Sequence, residues 1–509
     1  MSERRGRSRK QTSESKPVRQ VNYRNLRNPF TPQKAFSDDE IENMHQTSLR
    51  VLEELGMKVL LPEAREIFAK AGAIVDEETE MVRVGADIIE DAVGKAPSSI
   101  QMYGGKPEEN HVMELGALTF MAGAGCPHAA DRERGRRPGT GDDFRELMIL
   151  EDSFDVISML GPAVEPQDLP IHVRHYETMR TQVQVSDKIP FIFSRGTEQV
   201  EDNFQILALA RGVSREEFED KCWTKTIINT NSPRQLDIPM GQGIIDFARA
   251  KQLCVITPFC LSGAMAPITV AGGLMLQHAE ALFGIALSQL TREGAPVLYG
   301  SFASNVDMKS GAPAFGTPEH AKSTLGAGQL ARRIGLPWRS GGGSAGNCND
   351  AQAAHETEMA AWSSVLAGCT MIVHSAGWLE GGLTFSYEKM ITDMEMVQQF
   401  AEMCDRPSGD DAALAFDAIS QIEPGGHFFA AQHTMERYRT EFYEPLVADW
   451  SNYGSWVEAG SKTADERATA IWKNKLETHQ PPKHDEGVLE AIDAFVAKRV
   501  EEGGAHPLA

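Results

Sequence analysis

Between residues 254 and 396 the apolar positions arrive in four short runs: CVITPFCLSG, APVLYGSFASNVDMKSG, LPWRSGGGSAGNCNDAQ and TMIVHSAGWLEGG. Each run ends in small or polar residues, and each is followed by a longer segment whose apolar positions recur at helical spacing. Parallel strands need this order, because a crossover helix must cover the outer face of every strand before the next begins. Followed upstream, the pattern predicts eight strands, at 117–122, 156–161, 189–195, 225–231, 254–260, 296–302, 337–341 and 370–376. Eight such units over roughly 280 residues predict an α/β fold, a (β/α)8 TIM barrel with modest insertions. The rival is a doubly wound open sheet with a dinucleotide fingerprint. SGGGSAGN lacks the GxGxxG register and the acid about 20 residues further on that such a site requires.

The flanks read differently. Ser37 caps a predicted helix over 37–55, with acids in its first turn and Ile41, Met44, Leu49 and Leu52 at helical spacing; Gly56 stops it. A second helix over 62–71 and a short extended piece leading into a third complete an N-terminal helical extension over 31–116. The barrel then occupies 117–400. Residues 401–509 form a C-terminal helical region, with Pro481 and Pro482 as a stiff hinge. That region serves as a cap on the barrel or as an oligomer contact, so a homo-oligomer is one expectation.

The chain has 509 residues, 41% of them hydrophobic, enough for a large core. Its formal net charge of −22 argues against nucleic acid. The first thirty residues, basic and polar, are read as a disordered tail with no assigned function, ahead of a nucleic-acid arm. They lack the apolar core of a secretory signal. The longest helical candidate, 269–290, is interrupted by Gln277, His278 and Glu280, so no membrane span is expected and the location expected is cytoplasmic. The seven cysteines are scattered without CxxC pairs, as reduced thiols are.

In a barrel the chemistry sits at the carboxyl ends of the strands. Alternation puts Arg195 on a face with Phe191 and Phe193, and turning it to an apolar helix layer would leave its charge unpaired, so a mouth-facing position is expected. The same reasoning sends Arg339 inward and Trp338 outward. It groups His374 with Ile372 and Trp378, and sets Asn229 and Asn231 at the rim. Gly341, Gly342 and Gly343 would let a ligand approach the backbone. His374 is the one catalytic candidate, against an equally weighted reading as a satisfied buried histidine. No nucleophile–base pair, GxSxG, HExxH or carboxylate pair is present. Cys126 and His128 are read as incidental, and no metal is expected. An inward arginine with aromatic rings suits a zwitterion. On spacing alone, however, Phe302, Phe385 and Tyr387 read as packing at the barrel top.

Taken together, APITVAGGLMLQHAEALFGIALSQLTREGAPVLYG, DMKSGAPAFGTPEH, LPWRSGGG, DAQAAHE and SAGWLEGGLTFSYEKMITDMEM resemble the trimethylamine methyltransferase superfamily. DEIENMHQTSLRVLEELGMKV and YGSWVEAGSKTADERA fit it too, so the resemblance covers nearly the whole chain after the basic tail. It implies a barrel enzyme moving a methyl group from a methylated amine to the cobalt of a separate corrinoid protein, with no cofactor held tightly by the enzyme itself. Founding members carry pyrrolysine near the stretch resembling 341–350. Here GGGSAGNCND holds only standard residues, which points to the branch using quaternary amines such as glycine betaine. The strand-end residues, read beside that substrate class, give an expected substrate site of Arg339, Arg195, Trp378, Phe302, Phe385, Asn229, Asn231, Gly341 and Gly342, with His374. Competing readings are a trimethylamine enzyme of the same family, a non-catalytic betaine-binding barrel, and a methyltransferase using an acceptor such as a folate.

Overall fold

The computed structural model describes residues 22–508, so most of the tail expected over 1–30 lies outside the described residues. The remainder of that stretch belongs to the fold: Leu26–Arg27 pairs antiparallel with Ala117–Phe120. The framework is mixed α/β. Six strands form one parallel ladder in the spatial order Ala117–Phe120, Met371–Val373, Trp338–Gly341, Val297–Gly300, Leu253–Ile256, Lys225–Ile228. The two further strands expected, at 156–161 and 189–195, are extended segments held by single parallel bridges. Phe120 meets Ile157, Met159 meets Ile189, and Phe191 meets Lys225. Pro190 has no N–H to give a ladder, and the buried Lys225 ammonium donates to the Leu160 carbonyl at 3.0 Å.

Alternation divides the ladder into two faces. Leu253, Val255, Leu298, Met371 and Val373 pack into a small inner core with Met159. Ile256, Tyr299, Trp338 and Ile372 join the larger core shared with the helices. Each parallel segment is followed by a helix, from Gly141–Asp152 after the first to Tyr387–Met403 after the last. Thr140, Asp237, Thr269, Thr317, Asp350 and Ser386 cap six of these helices through their side chains. Each accepts from a first-turn N–H and so sets the point where loop becomes helix.

Val270–Thr291 is long and apolar enough to cross a membrane, contrary to the sequence reading, yet 78% of its apolar window is buried. It packs against Asp38–Arg50, Ala86–Gly94, Ile238–Arg249 and Pro318–Arg333. The three polar residues expected to interrupt it tie it to its neighbours instead. Gln277 donates to the Gly300 carbonyl at 2.9 Å, and His278 meets His45 at 2.9 Å. Glu280 accepts from Thr230 and Ser232.

The N-terminal extension is not purely helical. Met57–Val59, Ile74–Asp76 and Met81–Arg83 form a small sheet that Gln235–Leu236 joins. Strands this short carry too few alternating positions to stand out in a sequence. Near the other end, Ala464–Thr478 packs on Tyr387–Met403 and Gly141–Asp152.

Trp338 is fully buried, with its indole N–H donating to the Gly368 carbonyl at 2.9 Å. Trp338→Ala is expected to cost about 3–5 kcal/mol. Ile268→Ala, at an exposed position, should stay within about 0.5 kcal/mol. Urea unfolding midpoints compare the two, and equal shifts would contradict the assignment of Trp338 to the core.

Candidate functional site

A cavity of about 600 Å³ opens at the carboxyl ends of the parallel strands. It has the size of small-molecule sites and, like them, is mostly apolar with a few converging polar groups. Phe191, Phe193, Phe259 and Phe302 supply its aromatic walls, and Asn229, Asn231, Arg339, His374 and Trp378 its polar atoms. Among the described residues no carboxylate lines it.

Arg339 comes from the strand Trp338–Gly341, where alternation turns Trp338 to the helices and Arg339 to the inner face. Its guanidinium lies 4.7 Å from the Phe302 ring centroid. The side chain is 1% exposed, and Nε and Nη1 have no hydrogen-bond partner. Burial lowers its pKa to about 9, with the nearby Cys369 thiol opposing the shift, so it stays charged at neutral pH. This is a buried cation short of both a counter-charge and acceptors.

His374 reaches the cavity by a route alternation does not describe. It follows the strand Met371–Val373, in which Ile372 faces the helices, and a continued strand would send His374 the same way. Instead its backbone is left-handed, φ 58°, and this turns the ring inward. There it stacks on Trp378, with centroids 4.5 Å apart and planes 17° apart, and lies 5.4 Å from Phe302. Burial, reinforced by the Arg339 charge, holds its pKa well below the usual histidine range. The ring is therefore neutral, and its Nδ1 has no partner.

Trp378 is held between Gly343 and Gly382, where a Cβ at either position would overlap the indole. Both glycines have φ near 100°, at +102° and +103°, a conformation that L side chains rarely adopt. Phe302 and Phe315 close around the indole at 5.8 and 5.2 Å. Behind this turn the Gly377 N–H donates to Asp393 at 2.9 Å, and Asp393 is itself paired with the buried Lys389. Lys389 also donates to Thr357 at 2.9 Å, so the supporting pair is well satisfied.

Other residues named from the sequence are placed differently. Asn229 lines the cavity and donates to the Thr257 carbonyl at 2.7 Å. Asn231 also borders it, but its amide is committed to Asp237, donating at 3.0 Å and accepting the Asp237 N–H at 3.0 Å. Gly341 and Gly342 do not line the cavity. A Cβ on Gly341 would press on Phe302, and one on Gly342 would meet the His374 carbonyl, so they make room for rings and backbone. Phe385 is buried against Gly123 and Gly377, behind the cavity wall.

Arg195 is outside the cavity. Its guanidinium forks onto Glu165 at 2.7 and 3.0 Å and lies over Phe193. Burial alone would raise the Glu165 carboxyl, but Arg195 and Arg174 hold it below its ordinary range. The expected cost of facing Arg195 outward is thus removed by a carboxylate from a distant loop. Cys126 is buried, with burial pushing its thiol up, while His128 contacts the Leu383 carbonyl at 3.1 Å. Among the described residues no group of three or more metal-ligating side chains converges.

Phe259, Phe315 and Glu280 were not singled out from the sequence. Phe259 stands at the end of a predicted strand, a signal that could have found it. Glu280 could not be found that way, since it acts across the fold by anchoring the loop that carries Asn229 and Asn231: Thr230 donates to it at 2.5 Å and the Arg234 N–H at 2.8 Å. The whole arrangement offers one cation, flat aromatic faces and neutral polar groups, a set that complements a small zwitterion.

The family described as trimethylamine methyltransferase (MTTB) matches residues 3–504. Over 471 residues the chain is 32% identical to the glycine betaine methyltransferase of Desulfitobacterium hafniense (strain Y51), covering 92% of this chain and 98% of that one. It is also 32% identical over 477 residues to the trimethylamine methyltransferase MttB of Desulfitobacterium hafniense (strain DSM 10664 / DCB-2), covering 92% and 94%. The crystal structure of the Methanosarcina barkeri monomethylamine methyltransferase (MtmB) overlays with a TM-score of 0.42 at 10% identity, covering 92% of each chain.

Gly382→Ala forces a methyl group into the indole at a backbone angle alanine resists. It should destabilise the protein by about 1–3 kcal/mol and displace Trp378. Melting temperature reads the first effect and tryptophan fluorescence the second; an unchanged spectrum and midpoint would contradict the clamp.

Proposed function

This chain belongs to the trimethylamine methyltransferase family and is a methyltransferase, and on that premise we propose that it takes its methyl group from a carboxylated quaternary amine of the glycine betaine kind. The acceptor in this reading is the Co(I) of a separate corrinoid protein. Arg339 carries the choice of substrate: a buried charge with unpaired Nε and Nη1, in a cavity that no acid lines. A substrate carboxylate would supply both the missing counter-charge and the acceptors. A small cation without one would meet only repulsion from that charge. Phe302, Trp378 and the neutral His374 ring would then face the permanently charged nitrogen.

The reading also takes the six-stranded ladder and its three bridges as a closed (β/α)8 barrel, which would put the cavity where such barrels hold their substrates. The chemistry asks little of the protein in acid–base terms. A Co(I) acceptor at the opening would supply the electron pair that takes the methyl carbon, while the electron pair of the breaking C–N bond stays on nitrogen. A neutral tertiary amine leaves without needing a proton, which suits a histidine held neutral by its surroundings. The residues of this chain would fix the carboxylate, align one C–N bond with the opening, and exclude water. His374 in this scheme is a binding group that also braces Trp378.

Mixing the protein with glycine betaine and a reduced cognate corrinoid protein should produce methyl-cobalt absorbance; a betaine panel without any change would sink the proposal. Arg339→Ala should weaken glycine betaine binding by about 100-fold while choline, freed of the repulsion, binds no more weakly than before, read by calorimetry. Equal losses would contradict the role given to Arg339. Betaine affinity should stay flat from about pH 6 to 8, because His374 is already neutral and Arg339 still charged. An inflection near pH 6.5 would show that a protonated histidine takes part.

A further inference from the structure

Three loops meet around Trp378, those that follow the strands Val297–Gly300, Trp338–Gly341 and Met371–Val373. The Glu356 carboxylate lies where they join. Glu356 belongs to the helix Ala351–Leu366, and its Oε2 accepts from the Ser344 hydroxyl at 2.7 Å, the Ala345 N–H at 2.9 Å and the Gly346 N–H at 3.1 Å. Its Oε1 accepts from Gln352, one turn earlier on the same helix, at 2.8 Å, which holds the side chain in this direction.

We propose that Glu356 is a positioning residue for methyl transfer, acting through the indole of Trp378. The turn that it gathers passes the constraint on. The Gly381 N–H donates to the Ser344 carbonyl at 3.0 Å and the Glu380 N–H to the Gly346 carbonyl at 2.9 Å, so two loops are tied together. They carry Gly343 and Gly382, the glycines on either side of the indole, and Gly382 lines the cavity. The third loop is fixed to the same point: a Cβ on Gly316 would lie 2.4 Å from the Glu356 Cα, and the neighbouring Phe315 ring stands 5.2 Å from the indole. The inference rests on the reading of Trp378 as part of the substrate wall.

Other duties of a glutamate near a helix start fall to other groups. Asp350 caps the helix, accepting from the Gln352 and Ala353 N–H groups. The donors on Glu356 are all neutral, so its charge serves the turn rather than an ion pair. Successive amides closing on one anion form charge-assisted bonds, stronger than those between neutral groups. Glutamine at this position keeps the length, but it loses the charge and turns an NH2 group toward donors.

Protein labelled with fluorotryptophan tests the proposal without any ligand. Among the signals of its seven tryptophans, Trp378→Phe identifies the one required. Glu356→Ala should shift or broaden the Trp378 fluorine resonance and leave the others in place, and Glu356→Gln should move it less. With glycine betaine and a reduced cognate corrinoid protein, Glu356→Ala should raise KM about 10-fold and leave kcat within about threefold. A Trp378 resonance unmoved in the folded variants would overturn the proposal. So would movement of all the tryptophan resonances together, the mark of a generally loosened fold, or a fall in kcat with KM unchanged. If Glu356→Ala does not fold, Glu356→Gln carries the same expectation. Wild-type protein that transfers no methyl group from glycine betaine would count against the substrate reading, and the resonance would still decide the role of Glu356.

Discussion

The constraint on which the site depends is a buried positive charge that its own chain does not neutralise. Several other arginines find carboxylates. Arg195 forks onto Glu165, Arg137 reaches Asp131 and Asp143, and Arg499 holds Asp202. Its buried lysines are met by carbonyls or by a carboxylate: Lys188 by Glu151 and Phe154, Lys389 by Asp393. Arg211 is also short of partners, but Asp187 acts on it electrostatically. Arg339 is different because it borders an open cavity with no acid in its wall. Breaking a buried pair by removing one partner ordinarily costs several kcal/mol. A site that starts with one partner missing can return that energy to whatever anion fills the place.

The aromatic wall makes sense only beside that charge. Arg339 and a quaternary nitrogen would repel each other across the cavity unless a carboxylate lay between them. Geometry therefore has to be held closely, and the surrounding structure is built to hold it. Gly343 and Gly382 fix the indole of Trp378 from both sides, Asp393 pins the turn beneath it, and Glu280 gathers the loop after Lys225–Ile228. Capped helices following the strands set where each loop ends. These supports lie in different parts of the chain, so the pocket is a property of the assembled sheet.

The same molecule divides its apolar surface unevenly. Val270–Thr291 is mostly apolar and mostly covered, wrapped by helices from both the N-terminal extension and the parallel framework. The 404–463 segment, mixed in composition, leaves Phe416, Phe429 and Phe442 uncovered. The contrast places the chain's exposed large apolar side chains in a segment that does not line the cavity.

Periodicity in the sequence determined the succession of strand and helix and the two sides of Trp338–Gly341, because alternation is a local property of an extended backbone. Residue type and position brought Arg339, Trp378 and His374 into consideration together. Partners were beyond that reach. Arg195 looked unpaired until Glu165, 30 residues earlier, came back to it. His374 was assigned inward by a parity that the strand does not keep; a single left-handed residue turns it. The polar residues of Val270–Thr291 looked like interruptions and are cross-links. Of the small N-terminal sheet, the sequence shows only the short extended piece ahead of the third helix, because strands of two or three residues leave little pattern. In each case the tertiary structure decided, because ion pairing, burial and backbone sign depend on groups far apart in the chain.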